Sequence, residues 1–92
     1  MARVLYGKQA LVGLEQLIDA LAQQDRKQAF AVTDAIAEAI GKLEQRPLNG
    51  TPLPGGLRQL HITRGDSVLL ALYRYLALED RVEILSLQPH RA

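Results

Sequence analysis

The sequence predicts an α+β fold in the order β-α-α-β-β-β, with a helical hairpin packed on one face of a small, mainly antiparallel sheet. Three observations carry this. Composition changes at Pro47, where Ala, Gln, Leu and Glu give way to Pro and Gly and then to β-branched residues, Leu and Tyr. Two stretches before Pro47 space their apolar residues by three and four, joined by a short polar link. Three apolar runs after it are joined by short turns.

The elements follow in order. Arg3-Val4-Leu5-Tyr6 reads as a brief strand before Gly7. From Lys8 to Gln23, Leu11, Leu14, Ile18 and Leu21, with Leu17 beside them, predict one apolar helical face. Gly13 costs this helix about 1 kcal/mol relative to Ala unless close packing needs it. Asp25 is placed to cap a second helix, with Gln28 in capping-box position. That helix runs from Arg26 to about Glu44, with Ala29, Val32, Ile36, Ala39, Ile40 and Leu43 on one face. Pro47 ends it. Residues 47–56 hold three Pro and three Gly and read as a loop. Leu57–Ile62 is the next strand, and Thr63-Arg64-Gly65-Asp66 a turn. Val68–Leu76 is apolar on both faces through Leu72, so it belongs at the sheet centre. Leu78-Glu79-Asp80-Arg81 turns into a last strand, Val82–Leu87, closed by Pro89.

Composition bounds the function. The chain has 92 residues, one domain over 1–92, with 48% hydrophobic residues and no Cys. Stability of about 5–14 kcal/mol is expected at this size. Without Cys there is no disulfide framework, thiolate zinc site or thiol nucleophile. The net charge is +1, far from the basic excess of a general nucleic-acid binder, so sequence-specific DNA binding by this chain alone is not expected. Residues 1–46 carry six basic and six acidic side chains; residues 47–92 carry five Arg, four acids, both His and no Lys. The longest apolar run, Val68–Tyr73, is far short of a membrane span, and no targeting segment is visible. A soluble intracellular domain with no membrane partner is the expectation.

No motif carries a reaction by itself. The Pro-Gly-Gly-Leu stretch lacks the Lys and hydroxyl of a phosphate loop. His61 and His90 have no nearby Cys or paired carboxylate in sequence, so no metal or other cofactor is expected. Ser67 and Ser86 stand in no nucleophile elbow, and the helical acids Glu15, Asp19, Glu38 and Glu44 suit a solvated face. The suggestive residues lie in the strands: Arg58, His61, Arg64, Arg74, His90 and Arg91 are candidates for binding a target or a phosphate. Tyr73 and Tyr75 share a face and read as core; Arg74 has the opposite parity.

The order and local wording resemble the RelE/ParE superfamily of toxins from type II toxin–antitoxin modules, nearest the ParE-like plasmid stabilisation branch. Arg3–Tyr6, Ala10 and Leu14-Glu15-Gln16-Leu17 resemble the family's first strand and helix. Ala35-Ile36 through Leu43, then Arg46-Pro47-Leu48-Asn49-Gly50, resemble its second helix and exit. Leu57-Arg58-Gln59-Leu60, Gly65-Asp66-Ser67 with Leu72-Tyr73-Arg74-Tyr75, and Val82-Glu83-Ile84-Leu85 with His90-Arg91 resemble its strands. The resemblance implies a cytoplasmic toxin neutralised by a cognate antitoxin protein. ParE-like members poison DNA gyrase by binding it; RelE-like members cut mRNA on the ribosome. As a nuclease, the chain would use Arg58, Arg74, His90 and Arg91. It has no Lys after Lys42 and no Tyr after Tyr75, so it lacks the full nuclease set, and the gyrase-binding reading leads. A degenerate member that only binds antitoxin is a third reading.

Overall fold

The computed structural model describes residues 1–90. Strand β1 (Arg3–Tyr6) leads into helix α1 (Lys8–Gln24), then helix α2 (Arg26–Gly41) and a single 3₁₀ turn over Lys42–Glu44. Strand β2 (Thr51–Leu53) and a second 3₁₀ turn, Pro54–Gly56, precede strands β3 (Leu57–Arg64), β4 (Ser67–Leu76) and β5 (Arg81–Pro89). The five strands form one sheet in the order β1-β5-β4-β3-β2. Only β1–β5 is parallel; the other pairs are antiparallel. The predicted α+β architecture is therefore present, with β4 in the middle, where its two apolar faces require it.

The sequence expectation omitted one strand. Residues 47–56 were expected to be loop, yet Thr51, Pro52 and Leu53 pair with Gln59, Arg58 and Leu57. β2 is an edge strand, and an edge tolerates a proline that cannot donate to the ladder. The 3₁₀ turn after it relies on Gly55 and Gly56, both at positive φ. The β3–β4 turn also tightens to Gly65 and Asp66, with Gly65 at φ 57°. Between β4 and β5 the turn spans Ala77–Asp80, and Arg81 belongs to β5.

The helices cover one face of the sheet. Asp25 caps α2 by accepting from the backbone N–H groups of Lys27 (2.9 Å) and Gln28 (3.4 Å). The reciprocal half of the capping box does not form: the Gln28 amide instead donates to Ser67 Oγ at 3.2 Å, tying α2 to the start of β4. Val32, Ile36 and Ile40 of α2 are buried with Leu43, against Ile62, Leu69, Ala71, Tyr73, Val82, Ile84 and Leu87 of the sheet. The face of α1 is rotated from the expected one. Ala10 is buried and Leu14, Leu17 and Leu21 pack on the core, whereas Leu11 is exposed. The rotation follows from Gly13, which brings α1 against β5 so closely that a Cβ there would overlap the Leu87 carbonyl oxygen.

A bulge sets the register of β5. Tyr73 pairs with Ile84 but Leu72 pairs with Ser86, so Leu85 is the extra residue. Val82 and Ile84 face the helices; without the bulge Ser86 would follow them inward and Leu87 would point out. The bulge keeps the hydroxyl off the core face and buries Leu87.

Candidate functional site

Register decides which candidate side chains can act together. On β4, Leu69, Ala71, Tyr73 and Tyr75 face the helices, so Leu70, Leu72 and Arg74 face the open side. Arg58 pairs with Tyr73 and thus has helix-side parity, while Arg74 pairs with Leu57 on the open side. The two arginines lie on opposite faces and do not converge on one phosphate.

Arg58 and Tyr73 instead fasten the loop after α2. The Tyr73 hydroxyl accepts from the Gly50 N–H at 2.7 Å and donates to the Pro47 carbonyl at 2.9 Å. Arg58 Nη1 donates to the carbonyls of Leu48 (3.0 Å) and Gly50 (2.8 Å). Gly50 is buried, and a Cβ there would lie 2.6 Å from both the hydroxyl and Cε1 of Tyr73. Burial pushes the Tyr73 phenol above its ordinary value, opposed by the Gly50 N–H and the Arg58 charge, so it stays a neutral donor. The aromatic side chain reads as core, as its parity implied.

On the open face Arg74 Nε donates to Glu83 Oε1 at 2.8 Å, and Arg81 Nη2 lies 3.0 Å from Glu83 Oε2. The hydrogen bond from Arg74 is the main cause that holds the Glu83 carboxyl below its ordinary value; partial desolvation opposes it. Arg74 is thus engaged in an ion pair rather than presented alone. Tyr75 donates to Asp80 Oδ1 at 2.7 Å, closing the β4–β5 turn, where Asp80 has φ 47°. That bond raises the Tyr75 phenol.

His61 and His90 meet. His61 pairs with Leu70, and the His90 N–H donates to the Val68 carbonyl at 2.7 Å. The two rings therefore sit diagonally across β4 on the open face, with centroids 5.7 Å apart and edge to face. Arg74 lies four residues along β4 from Leu70, roughly 13 Å away at about 3.3–3.4 Å per residue. Arg64 is exposed at the end of β3. Arg91 lies outside the described residues.

Two further features lie outside the candidate residues: a groove on the helical hairpin and an open sheet edge, the two places where an added helix or strand was expected to dock. Ile18, Ala22, Ala29, Phe30 and Thr33, with Arg26, line a groove of about 340 Å³ on the outer side of the hairpin. Phe30 is 72% exposed there. Ile18, expected on the core face of α1, lines this groove instead, a consequence of the same rotation that exposes Leu11. The other feature is the free flank of β5: β1 pairs only with Arg81–Ile84, so Leu85–Pro89 extends past it beside α1. Among the described residues no helix is long and apolar enough to cross a membrane.

A family model described as the ParE toxin of type II toxin–antitoxin system, parDE, matches residues 4–92. No curated protein sequence matches. Among solved structures, the chromosomal ParDE TA system from P. aeruginosa superposes with a TM-score of 0.79 at 20% identity, covering 99% of this chain and 98% of that one. The RelBE2 toxin–antitoxin complex from Mycobacterium tuberculosis gives a TM-score of 0.63 at 25% identity, over 97% of this chain and 98% of that chain. The intact E. coli RelBE toxin–antitoxin complex gives 0.63 at 13% identity, over 100% of both chains. The ParDE and E. coli RelBE likenesses are likenesses of fold.

Proposed function

This chain belongs to the ParE toxin family of type II toxin–antitoxin systems, and from that premise we propose that it acts in the cytoplasm by binding DNA gyrase, without phosphodiester chemistry. The observation that carries this reading is the dispersal, among the described residues, of the groups a nuclease would need. Transphosphorylation needs a proton-transfer group and a cation on the same phosphate. Here Arg58 holds the Leu48 and Gly50 carbonyls, Arg74 holds Glu83, and the imidazoles stand apart from both.

The same reading includes a cognate antitoxin. The apolar groove beside Phe30 fits the apolar face of an amphipathic helix, and an exposed sheet edge accepts an added strand. Pro52 and Pro54 blunt the β2 edge, so the β1–β5 side is the favoured edge. A complex whose contacts were confined to the Pro/Gly loop would refute this placement.

Expression without antitoxin, with transcript ends mapped on translating ribosomes, tests the mode of action. The expected result is growth arrest with intact transcripts, unchanged in His90→Ala. Cleavage within codons that is lost in His90→Ala would establish the nuclease reading instead.

A further inference from the structure

The chain's only two histidines are 29 positions apart in sequence, yet the sheet brings their rings to 5.7 Å. In sequence neither had a ligating neighbour; the β3–β4–β5 register makes each the neighbour of the other. We infer that His61 and His90 form a two-imidazole site for a borderline divalent cation such as zinc, completed by solvent.

The geometry supports this. A zinc–nitrogen bond of about 2.0–2.1 Å plus the ring radius puts a metal roughly 3.2 Å from each ring centroid. Two imidazoles on one ion then have centroids roughly 5.2 Å apart at the tetrahedral angle and roughly 6.4 Å apart if collinear. The observed 5.7 Å lies between these limits. Both residues are exposed; the rings stand edge to face at 86°, and their broad χ2 torsions leave them free to turn toward a shared ion whose other positions solvent fills, since no third His, Cys, Asp or Glu joins them among the described residues. Their backbones are fixed: His61 sits within β3, and His90 is held to Val68 by its N–H. Imidazole suits zinc, nickel and copper, whereas magnesium and calcium prefer oxygen ligands.

A bound ion would staple the end of β5 to β3 across the central strand. It would therefore stabilise the folded chain without touching the hairpin groove. The inference is independent of the gyrase reading, because its readout is metal binding and not toxicity.

Titration of the untagged 92-residue chain with zinc chloride by calorimetry tests it. One equivalent is expected to bind, with affinity at least tenfold weaker in His61→Gln and in His90→Gln. Zinc at ten times its Kd is expected to raise Tm by roughly 6–11 °C in the unmutated chain and not in either variant. Equal zinc affinity in all three proteins, or no saturable binding, would overturn the inference. Should either variant fail to fold, the imidazole proton resonances of the unmutated chain decide. Both rings shifting together up to one equivalent supports the site; a shift of one ring or neither refutes it.

Discussion

Tyr73→Phe isolates the hydrogen bonds that hold the loop after α2. The ring is fully buried, so phenylalanine keeps its packing and removes only the oxygen. That oxygen serves two partners, the Gly50 N–H at 2.7 Å and the Pro47 carbonyl at 2.9 Å. Each bond contributes about 1 kcal/mol net, and a buried N–H left without an acceptor costs about 1–3 kcal/mol. Gly50 is buried, so its N–H falls in the costly class; the half-buried Pro47 carbonyl regains water more readily. The expected loss is about 2–3 kcal/mol, a fall in Tm of roughly 10–20 °C for a domain of this size. Urea unfolding followed by circular dichroism measures it, with m unchanged. Arg58→Met releases the same loop from its other side, so the double variant should lose less than the sum of the singles by at least about 0.5 kcal/mol. A loss below about 0.5 kcal/mol in Tyr73→Phe, or full additivity with Arg58→Met, would refute this account of the loop.

Three other outcomes follow from the same contacts. Gly13→Ala improves helix propensity by about 1 kcal/mol, yet its methyl meets the Leu87 carbonyl, so a net destabilisation of about 1–2 kcal/mol is expected from urea midpoints; a stabilised variant would show that α1 does not press on β5. Glu83 has a depressed folded-state pKa, so its pairing with Arg74 stabilises the fold above the ordinary glutamate value of 4.5 and is lost as pH falls through the folded value. The stability gap between the unmutated chain and Glu83→Gln should therefore close on acidification below 4.5, and a gap independent of pH would contradict the pairing. Phe30→Asp, at an exposed position, should leave stability within about 0.5 kcal/mol while weakening antitoxin binding at least tenfold by calorimetry; unchanged affinity would remove the hairpin groove from the interface.

Much of the fold was legible because single-residue properties repeat with the period of the element. The Val32–Ile36–Ile40 stripe identified α2, and the two-faced apolarity of Val68–Leu72 placed β4 at the sheet centre. Pro47 marked the helix exit because no helix passes it unkinked. Features that depend on two distant segments were less legible. The strand Thr51–Leu53 is hidden by Pro52, which only an edge position tolerates. The extra residue Leu85 leaves no mark beyond a serine where an apolar residue was due. The candidate site was legible as a set of residues and not as an arrangement. Arg58 and Arg74 looked like partners in composition, and only the register with Tyr73 and Leu57 puts them on opposite faces. His61 and His90 looked unrelated, and only the pairing of β3, β4 and the end of β5 brings them together.

The proposed mode of action places toxicity in gyrase binding and not in sheet-face chemistry on RNA. Supercoiling of relaxed plasmid by purified gyrase, titrated with the purified chain, tests this most directly. Inhibition that saturates, survives Arg74→Ala and His90→Ala, and is reversed by antitoxin is the predicted result. Full supercoiling activity at a large excess of folded toxin would contradict it.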